Sequence, residues 1–471
     1  MASQTSERQA PGKLKRGALG LTGAVVIAVA FTGPAGSIYF GEAAAAGKAG
    51  SAFAFSFILA AIGVLLIAYS IAQFSRKLET AGFGFTYVSK TFGGGAGAFV
   101  GWLLLLGYIP IPALLLAAEG AIGEQFFKTY LRIDIPWYVI TIVLGVVGVL
   151  IVNSGVKRSI RTTLILLAWE MIVTTALFLT IIFRGGVDGN SLAPFNPANA
   201  PSGGGLAYGL LWGFVLFFGF ESAGTLGEET ANPRRTIPRA LFAAVIVMSV
   251  YYTVSAYAAT IGVGVHNIGL FQSAGWDGLA RTFWSPRVAW LIDLTVMNSF
   301  FAIVLASLNA SVRVLYSMAR GGVLPARLAR VHPTRQVPVT AGYVTIGIAL
   351  VLVLAGGAAW GPLNTWTFLS VLTAIALLLV YLAIHVSLPV YYRRNHPAEF
   401  SWLRHLVVPV IGGLVVLLPL YGTVWPIAPY PMNLVPWVFA AWVIAGLVYL
   451  RIAAKRHVDL AGAMQEAFSE G

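Results

Sequence analysis

Two short stretches of this 471-residue sequence, TGPAGS at 32–37 and GFESAG at 219–224, decide its fold. Each lies near the middle of a long apolar segment, the first within 18–40 and the second within 206–227. Glycine and proline weaken a helix at such positions, because glycine adds backbone freedom and proline has no N–H to donate. We therefore predict two helices that are broken mid-span. The alternative is that these glycines only allow neighbouring helices to pack closely.

The composition around these stretches is that of a membrane protein. Hydrophobic residues make up 58% of the chain and charged residues only 10%, whereas a soluble domain carries about 25% charged residues. The apolar residues also come in blocks of about 20, the length of helix that crosses the hydrocarbon core of a bilayer. Buried strands of a soluble α/β protein need runs of only about 4–8 residues. The sequence therefore predicts an all-α polytopic membrane protein, embedded in the lipid bilayer.

Apolar blocks between charged or Gly/Pro-rich breaks predict twelve transmembrane helices. They lie at 18–40, 52–75, 97–121, 136–153, 163–183, 206–227, 239–263, 288–319, 340–356, 364–390, 404–422 and 434–452. Basic residues are concentrated in alternate loops, such as Arg320, Arg327 and Arg330 after the eighth span, and cytoplasmic loops are enriched in Lys and Arg. This asymmetry predicts a multi-pass protein of the cell membrane with both termini in the cytoplasm. Two polar loops, 185–205 and 266–286, are predicted to be outer surface connections.

Several classes of function are excluded by what the sequence lacks. It contains no cysteine, which rules out a disulfide framework, a thiol nucleophile and a thiolate metal site. It has neither a GxxxxGK phosphate-binding loop nor an HExxH pair among its six histidines, which argues against an ATP-driven pump and a membrane metalloenzyme. The net charge of +13 is explained by cytoplasmic loops and not by a nucleic-acid surface. We expect no cofactor, no metal and no nucleic-acid partner.

Two longer motifs resemble those of a known family. GFES at 219–222 and GEETANPRRTIPRA at 227–240 resemble the TM6–TM7 signature of the amino acid–polyamine–organocation permeases. ASLNASVRVLYSMARGGVLP at 306–325 resembles the TM8–TM9 stretch of the same family. These long, ordered motifs are specific for the superfamily and not for a substrate. In the first motif, Glu228 and Glu229 are expected to pair with nearby basic residues.

The resemblance implies a fold and a domain plan. The fold is LeuT-like, a five-plus-five inverted repeat in which TM1 and TM6 are broken mid-membrane. Residues 17–390 then form the transport core of TM1–TM10, and 391–452 add TM11 and TM12. The tails 1–16 and 453–471 are cytoplasmic. The resemblance also implies alternating access without ATP, by proton symport or by exchange.

The first break departs from the pattern of that family. Its TM1 usually carries a Gly-Ser-Gly-Ile stretch whose backbone N–H groups hold the carboxylate of the substrate. The matching positions here are Gly33, Pro34, Ala35 and Gly36, and Pro34 has no N–H to donate. Carboxylate recognition is thereby weakened, and an amine or polyamine is favoured as the substrate.

The predicted substrate-binding residues are those of the two breaks, together with Tyr108 in the third span. They are Thr32, Gly33, Pro34, Ala35, Gly36, Ser37, Phe217, Phe218, Gly219, Phe220, Glu221 and Ser222. The freed N–H groups of a half-helix attract anions, and its freed carbonyls attract cations. Aromatic rings beside a break suit a cation and can close over a substrate, although a single ring more often serves packing.

Carboxylates inside the predicted spans are the candidates for proton coupling, because a charge inside a membrane is costly and indicates function. Glu170 lies in the fifth span, where several proton-coupled relatives resemble one another in carrying a lysine, and Glu221 lies in the second break. The alternative for Glu170 is a neutral, hydrogen-bonded side chain that joins helices. Asp293 suits an outer vestibule or a salt bridge, and His385 a proton relay or a structural hydrogen bond. Glu119 is expected near a span end, where snorkelling explains it.

The leading hypothesis is a secondary active transporter that moves an amino acid or a small organic amine and is coupled to protons. A second hypothesis is a cation or polyamine carrier or exchanger in which Glu170 and Glu221 coordinate the cation directly. A third, from another class, is a receptor or scaffold that has kept the fold and lost transport. An enzyme is not expected. A flux assay separates the transporter from the receptor.

Overall fold

The computed structural model describes residues 17, 19–80, 82–423 and 429–456. The predicted tail 1–16 and positions 457–471 of the predicted C-terminal tail lie outside the described residues.

The described chain is all-helical, as predicted. Its α-helices are α1 Leu21–Thr32, α2 Pro34–Ser37, α3 Ala43–Ala49, α4 Phe53–Ser75, α5 Gly84–Phe92, α6 Gly94–Tyr108, α7 Pro110–Phe126, α8 Trp137–Asn153, α9 Val156–Phe183, α10 Gly203–Phe217, α11 Pro233–Val263, α12 Gly269–Phe283, α13 Trp290–Arg320, α14 Val339–Trp360, α15 Pro362–Asn395, α16 Val408–Gly422 and α17 Val435–Arg456. Shorter π and 3₁₀ turns join some of them, and the described residues pair as strands only in an isolated bridge between Leu19 and Thr230.

Helices of membrane-spanning length dominate this arrangement. Ten helical stretches among the described residues are long and apolar enough to cross a membrane, and α8 is a shorter apolar helix of 17 residues. The first stretch, Leu21–Ser75, contains 55 residues, well beyond the roughly 20 that one crossing needs. Large apolar side chains such as Ile172 and Trp437 point outward, with 69% and 75% of their surface exposed. That distribution fits a lipid-facing exterior.

The first predicted helix interruption is confirmed at Gly33. Helix α1 ends at Thr32, and Gly33 adopts the left-handed conformation with φ 57° and ψ 71°. Helix α2 starts at Pro34 and continues as a π turn, Ile38–Glu42, into α3. A larger residue is disfavoured here, because the positive φ of Gly33 would strain it and its Cβ would lie 1.9 Å from Cδ1 of Ile303, which would have to move.

The second predicted interruption is confirmed at Gly219. Helix α10 ends at Phe217, Gly219 has a φ of 105°, and a 3₁₀ helix follows over Phe220–Leu226. A Cβ on Gly219 would lie 2.6 Å from the ring of Phe31, a residue of α1. The two breaks therefore lie against each other in space, although they are far apart in sequence.

The segment after the second break is held by ion pairs. Glu229 pairs with Arg313 of α13, and both side chains are buried. Glu228 lies 2.8 Å from Arg320, at the end of the same helix. The expected pairing of these two glutamates with basic residues is confirmed. Leu19, before the first helix, joins this cluster through two backbone hydrogen bonds. Its N–H donates to Glu229 O at 3.1 Å, and its carbonyl oxygen accepts from Ala231 N–H at 2.8 Å.

The predicted surface connection at 266–286 is only partly right, since it contains helix α12. Its apolar residues Phe271, Trp276, Leu279 and Phe283 are buried and pack against the core, while the residues between them are polar or small. The segment was predicted to be a surface loop because it is polar on average, although one face of α12 is apolar. The stretch 76–96, between the second and third predicted spans, likewise contains a helix, α5.

We predict that Gly219→Ala destabilises the protein. The new methyl group would occupy a left-handed backbone conformation and clash with Phe31, and such strain and overpacking each cost about 1–3 kcal/mol. Thermal unfolding of the purified protein should show a melting temperature lower by several degrees. The matched control is Gly347→Ala in α14, where no atom lies within 4 Å of the added Cβ. Equal melting temperatures for the two variants would contradict the assigned geometry.

Candidate functional site

Tyr252 of α11 joins the two helix breaks. Its hydroxyl lies 2.8 Å from the carbonyl oxygen of Leu216 in α10 and 3.2 Å from that of Thr32 in α1. In an unbroken helix these carbonyls would accept bonds from residues four positions further along. The Ser37 hydroxyl also donates to Thr32 O, at 2.5 Å. Side-chain hydroxyls thus replace backbone donors that the breaks remove.

The N–H groups that follow the first break are taken by two other spans. Ala35 N–H donates to a carboxylate oxygen of Glu170 in α9, at 3.1 Å, and Gly36 N–H donates to the Ser299 hydroxyl of α13, at 3.0 Å. Pro34 has no N–H, and Ser37 N–H bonds to a backbone carbonyl. The carboxylate of Glu170 is fully buried, and a helix N-terminus stabilises an anion there.

The second break is ordered by Glu221, which lies within it. One carboxylate oxygen accepts the hydroxyl of Tyr108 at 3.0 Å, and the other accepts the N–H of Gly219 at 3.0 Å. Both oxygens are therefore occupied by donors of the protein itself. Phe217 packs edge-on against Tyr252, with ring centroids 5.2 Å apart, and the buried ring of Phe220 lies 6.3 Å from that of Tyr381.

A cavity of about 100 Å³ opens beside the first break. Of the predicted site residues, Thr32, Gly36, Ser37 and Phe218 line it. The other predicted residues are near the breaks but do not line this cavity; they are Gly33, Pro34, Ala35, Tyr108, Glu170, Phe217, Gly219, Phe220, Glu221 and Ser222. No carboxylate contributes to its described wall, which is mostly apolar.

Aromatic rings form much of that wall, and sequence analysis missed most of them. Phe40 lies 5.0 Å from Trp366 and 5.8 Å from Phe300, measured between ring centroids, and Trp212 also lines the cavity. Phe40 follows Gly36 by one helical turn, so the i, i+4 spacing was a usable signal. Trp366 and Phe300 carried no local signal, because they come from α15 and α13.

A second cavity, of about 310 Å³, shares Phe40 with the first as a lining residue. Asp293 contributes to it and accepts hydrogen bonds from Tyr130, at 2.8 Å, and Tyr39, at 3.4 Å. Arg281 lines the same cavity. Asp293 thus lines a cavity with polar walls, and its place in an outer vestibule stays a prediction.

Three other ionisable residues are buried among the helices, and only one of them meets its expectation. Glu119 is only 2% exposed, so the snorkelling interpretation is wrong; helix α7 continues to Phe126 and keeps this side chain inside. His385 is buried and shares a 2.9 Å hydrogen bond with Ser70, in keeping with the structural alternative. Glu42, which the sequence analysis did not single out, is fully buried and accepts a bond from Ser255.

The sequence of this chain matches the model of the family described as amino acid permease, over residues 23–458. The chain belongs to the amino acid permease family. The resemblance to amino acid–polyamine–organocation permeases is confirmed by this match.

Several named transporters are similar in sequence to this permease. It is 27% identical over 448 residues to the branched-chain amino acid permease BcaP of Bacillus subtilis, covering 88% of both chains. It is 26% identical to the methylthioribose transporter of the same organism, again covering 88% of both chains. It is 22% identical to the gamma-aminobutyric acid permease of Escherichia coli, covering 81% of this chain and 84% of the relative.

Removing the hydroxyl of Tyr252 should weaken the contact between the breaks. We predict that Tyr252→Phe lowers the unfolding free energy by about 1–3 kcal/mol, because a buried carbonyl at Leu216 loses its donor. Tyr257→Phe on the same helix removes only an exposed hydroxyl that bonds to Asn190, and it should leave the melting temperature nearly unchanged. Thermal unfolding of both purified variants tests this, and equal effects would argue against the bridging role.

Proposed function

We propose that the permease is a secondary active transporter that moves an amino acid or a small organic amine across the cell membrane by alternating access, coupled to protons. Membership of the family supports transport of a small molecule. The observation that carries the proposal is the contact of the Glu170 carboxylate with Ala35 N–H at the first break, where Gly36 and Ser37 line a cavity. Interrupted helices that face a cavity are typical of transport sites.

The proposed architecture has twelve transmembrane helices in a LeuT-like five-plus-five inverted repeat. The 55 residues of Leu21–Ser75 are long enough for two crossings, and α8 supplies a further one. This assignment extends the ten candidate stretches to the proposed twelve. The core is then 17–390, and 391–452 lies outside the repeat. The loop charges support cytoplasmic termini.

Glu170 is proposed as the coupling carboxylate. An ionised Glu170 and the carboxylate of an amino acid are anions that compete for the same donor, Ala35 N–H at the start of α2. When Glu170 takes up a proton, its hold on Ala35 N–H weakens, and that donor becomes available to the substrate. Proton binding and substrate binding then favour each other, which is the thermodynamic requirement for coupling. Glu221 is proposed as a second participant, since it holds the other break.

Alternating access requires a closure on each side of the cavity. Phe40 is proposed as the outer one, because it lines both this cavity and the second cavity, which contains Asp293. On the opposite side, the ion pairs of Glu229 with Arg313 and of Glu228 with Arg320 are proposed to hold the path shut. These pairs join the segment after the second break to α13, so opening would separate them.

The cavity favours a substrate with a compact apolar part. Its aromatic wall suits such a group and presents ring faces to an ammonium. The named substrates of the relatives include branched-chain amino acids and the sugar methylthioribose, so this fold accommodates ligands with and without a carboxylate. Direct coordination of a polyamine by Glu170 and Glu221 is less favoured, since both carboxylates already accept bonds from backbone N–H groups. A receptor that has lost transport would share this fold, so a flux assay is what distinguishes it from a transporter.

Uptake into proteoliposomes tests the transport proposal. We expect at least one amino acid or amine to accumulate, faster when the outside is acidic, and Glu170→Gln to abolish the effect of the pH gradient. Glu119→Gln is the matched control, because Glu119 is equally buried but does not contact a break. No uptake of any compound would overturn the transport proposal, whereas uptake by Glu170→Gln that still follows the pH gradient would reject only the assignment of the coupling residue.

A matched ligand pair tests the competition between carboxylates. Leucine and 3-methylbutylamine differ only by the carboxylate, so only leucine should compete with Glu170. The dissociation constant of leucine should rise by up to about tenfold per pH unit above the pKa of Glu170, as one coupled proton requires. The dissociation constant of 3-methylbutylamine should not show this rise with pH. The Glu170→Gln substitution should remove the rise for leucine. Titration calorimetry of the purified permease measures both. Parallel pH profiles for the two ligands would contradict the competition.

A further inference from the structure

A basic cavity lies at one end of the helices, apart from the breaks. Its volume is about 410 Å³, and none of its lining residues lines the cavity beside the first break. Arg76 and Lys77 lie at the end of α4, Tyr392 near the end of α15, and Arg404 and His405 in the π turn before α16. The ends of three candidate spans therefore meet around it.

The charge of this cavity is positive. Lys77 lies 2.7 Å from both carboxylate oxygens of Glu399, and these hydrogen bonds lower the pKa of the Glu399 carboxyl. Glu399 is therefore ionised at neutral pH, and its charge offsets that of Lys77. Arg76 and Arg404 are exposed, and neither has an ion-pair partner within 4.0 Å among the described residues. Two guanidinium groups remain for an anion.

A further donor is fixed in the same cavity. His405 stacks on Tyr392 with ring centroids 3.8 Å apart, and its Nδ1 accepts the N–H of Ser401 at 3.0 Å. In the neutral ring the proton is then on Nε2, which can donate. Tyr392 is held in place by hydrogen bonds from its hydroxyl to Gln73. The ring of His405 is thus oriented by its neighbours.

Large apolar side chains stand next to the cavity. Trp402 is 62% exposed and Leu403 is 64% exposed, and both directly precede the basic pair Arg404 and His405. The Arg393 guanidinium lies 4.9 Å from the ring of Trp402. Tryptophan and arginine in such positions are typical of the membrane–water interface. An occupant that presents an anionic head to the cavity and an apolar tail to these side chains matches both surfaces.

We propose that this cavity binds the phosphate group of an anionic membrane lipid. Guanidinium groups form strong, charge-assisted hydrogen bonds with phosphate oxygens, and basic cavities between membrane helices are known to hold anionic headgroups. A free phosphate shares the head chemistry but gains nothing from Trp402 and Leu403. The proposal concerns a site separate from the breaks and does not depend on the transported substrate.

Thermal unfolding of the full chain in a mild detergent tests the site. Dioctanoyl phosphatidylglycerol should raise the melting temperature in a saturable way, while dioctanoyl phosphatidylcholine and inorganic phosphate at equal concentration should raise it much less. Arg76→Gln and Arg404→Gln should each raise the phosphatidylglycerol concentration needed for half-saturation about fivefold. That is the contribution expected of one cation near an anionic lipid. Both positions are exposed, so these substitutions leave the core intact.

Arg239→Gln provides the matched control, because Arg239 is an exposed arginine on α11 outside the cavity. It should keep the half-saturation of the unchanged protein. Equal stabilisation by the two lipids, or equal weakening by Arg239→Gln and Arg404→Gln, would overturn the proposal. If inorganic phosphate stabilised the protein as well as the anionic lipid does, the site would be one for free phosphate and the lipid assignment would be wrong.

Discussion

A backbone polar group that is left unpaired away from water costs free energy, so a helix broken at membrane depth must find new partners within the protein. The rest of this site depends on that constraint. The Glu170 carboxylate and the Ser299 hydroxyl serve the first break, Glu221 serves the second, and Tyr252 serves both. These side chains satisfy backbone groups that the breaks leave free, and the cavity lies beside the first break.

Local rules of sequence predicted the breaks but not their partners. Glycine at Gly33 and Gly219 was interpretable from the sequence, because a left-handed backbone conformation favours that residue. Ser299, Tyr252 and Trp366 were not, because their importance arises only when distant spans pack together. Helix α12 was missed because its apolar face alternates with polar residues, and Glu42 because an alanine-rich run follows it and the predicted first span stopped short.

The groups that line the candidate site also differ from those that the sequence predicted. Carboxylates in and near the breaks favoured a site for cations. In the structure Glu170 and Glu221 are directed at backbone N–H groups, and the described wall of the cavity is apolar and aromatic. The physical reason is solvation: a carboxylate buried in a membrane is stabilised by such donors and would find none against rings such as Phe40. The sequence identified the charged residues, and packing determined what they face.

The hydroxyl of Tyr252 carries a single hydrogen, yet it lies within reach of carbonyls on both broken helices. Only one of them receives that hydrogen at any moment. Thr32 O has the Ser37 hydroxyl as a second donor, so Tyr252 can remain with Leu216 when the two broken helices move apart. A second donor at Thr32 O therefore means that separating α1 from α10 at this point would leave neither carbonyl without a hydrogen bond.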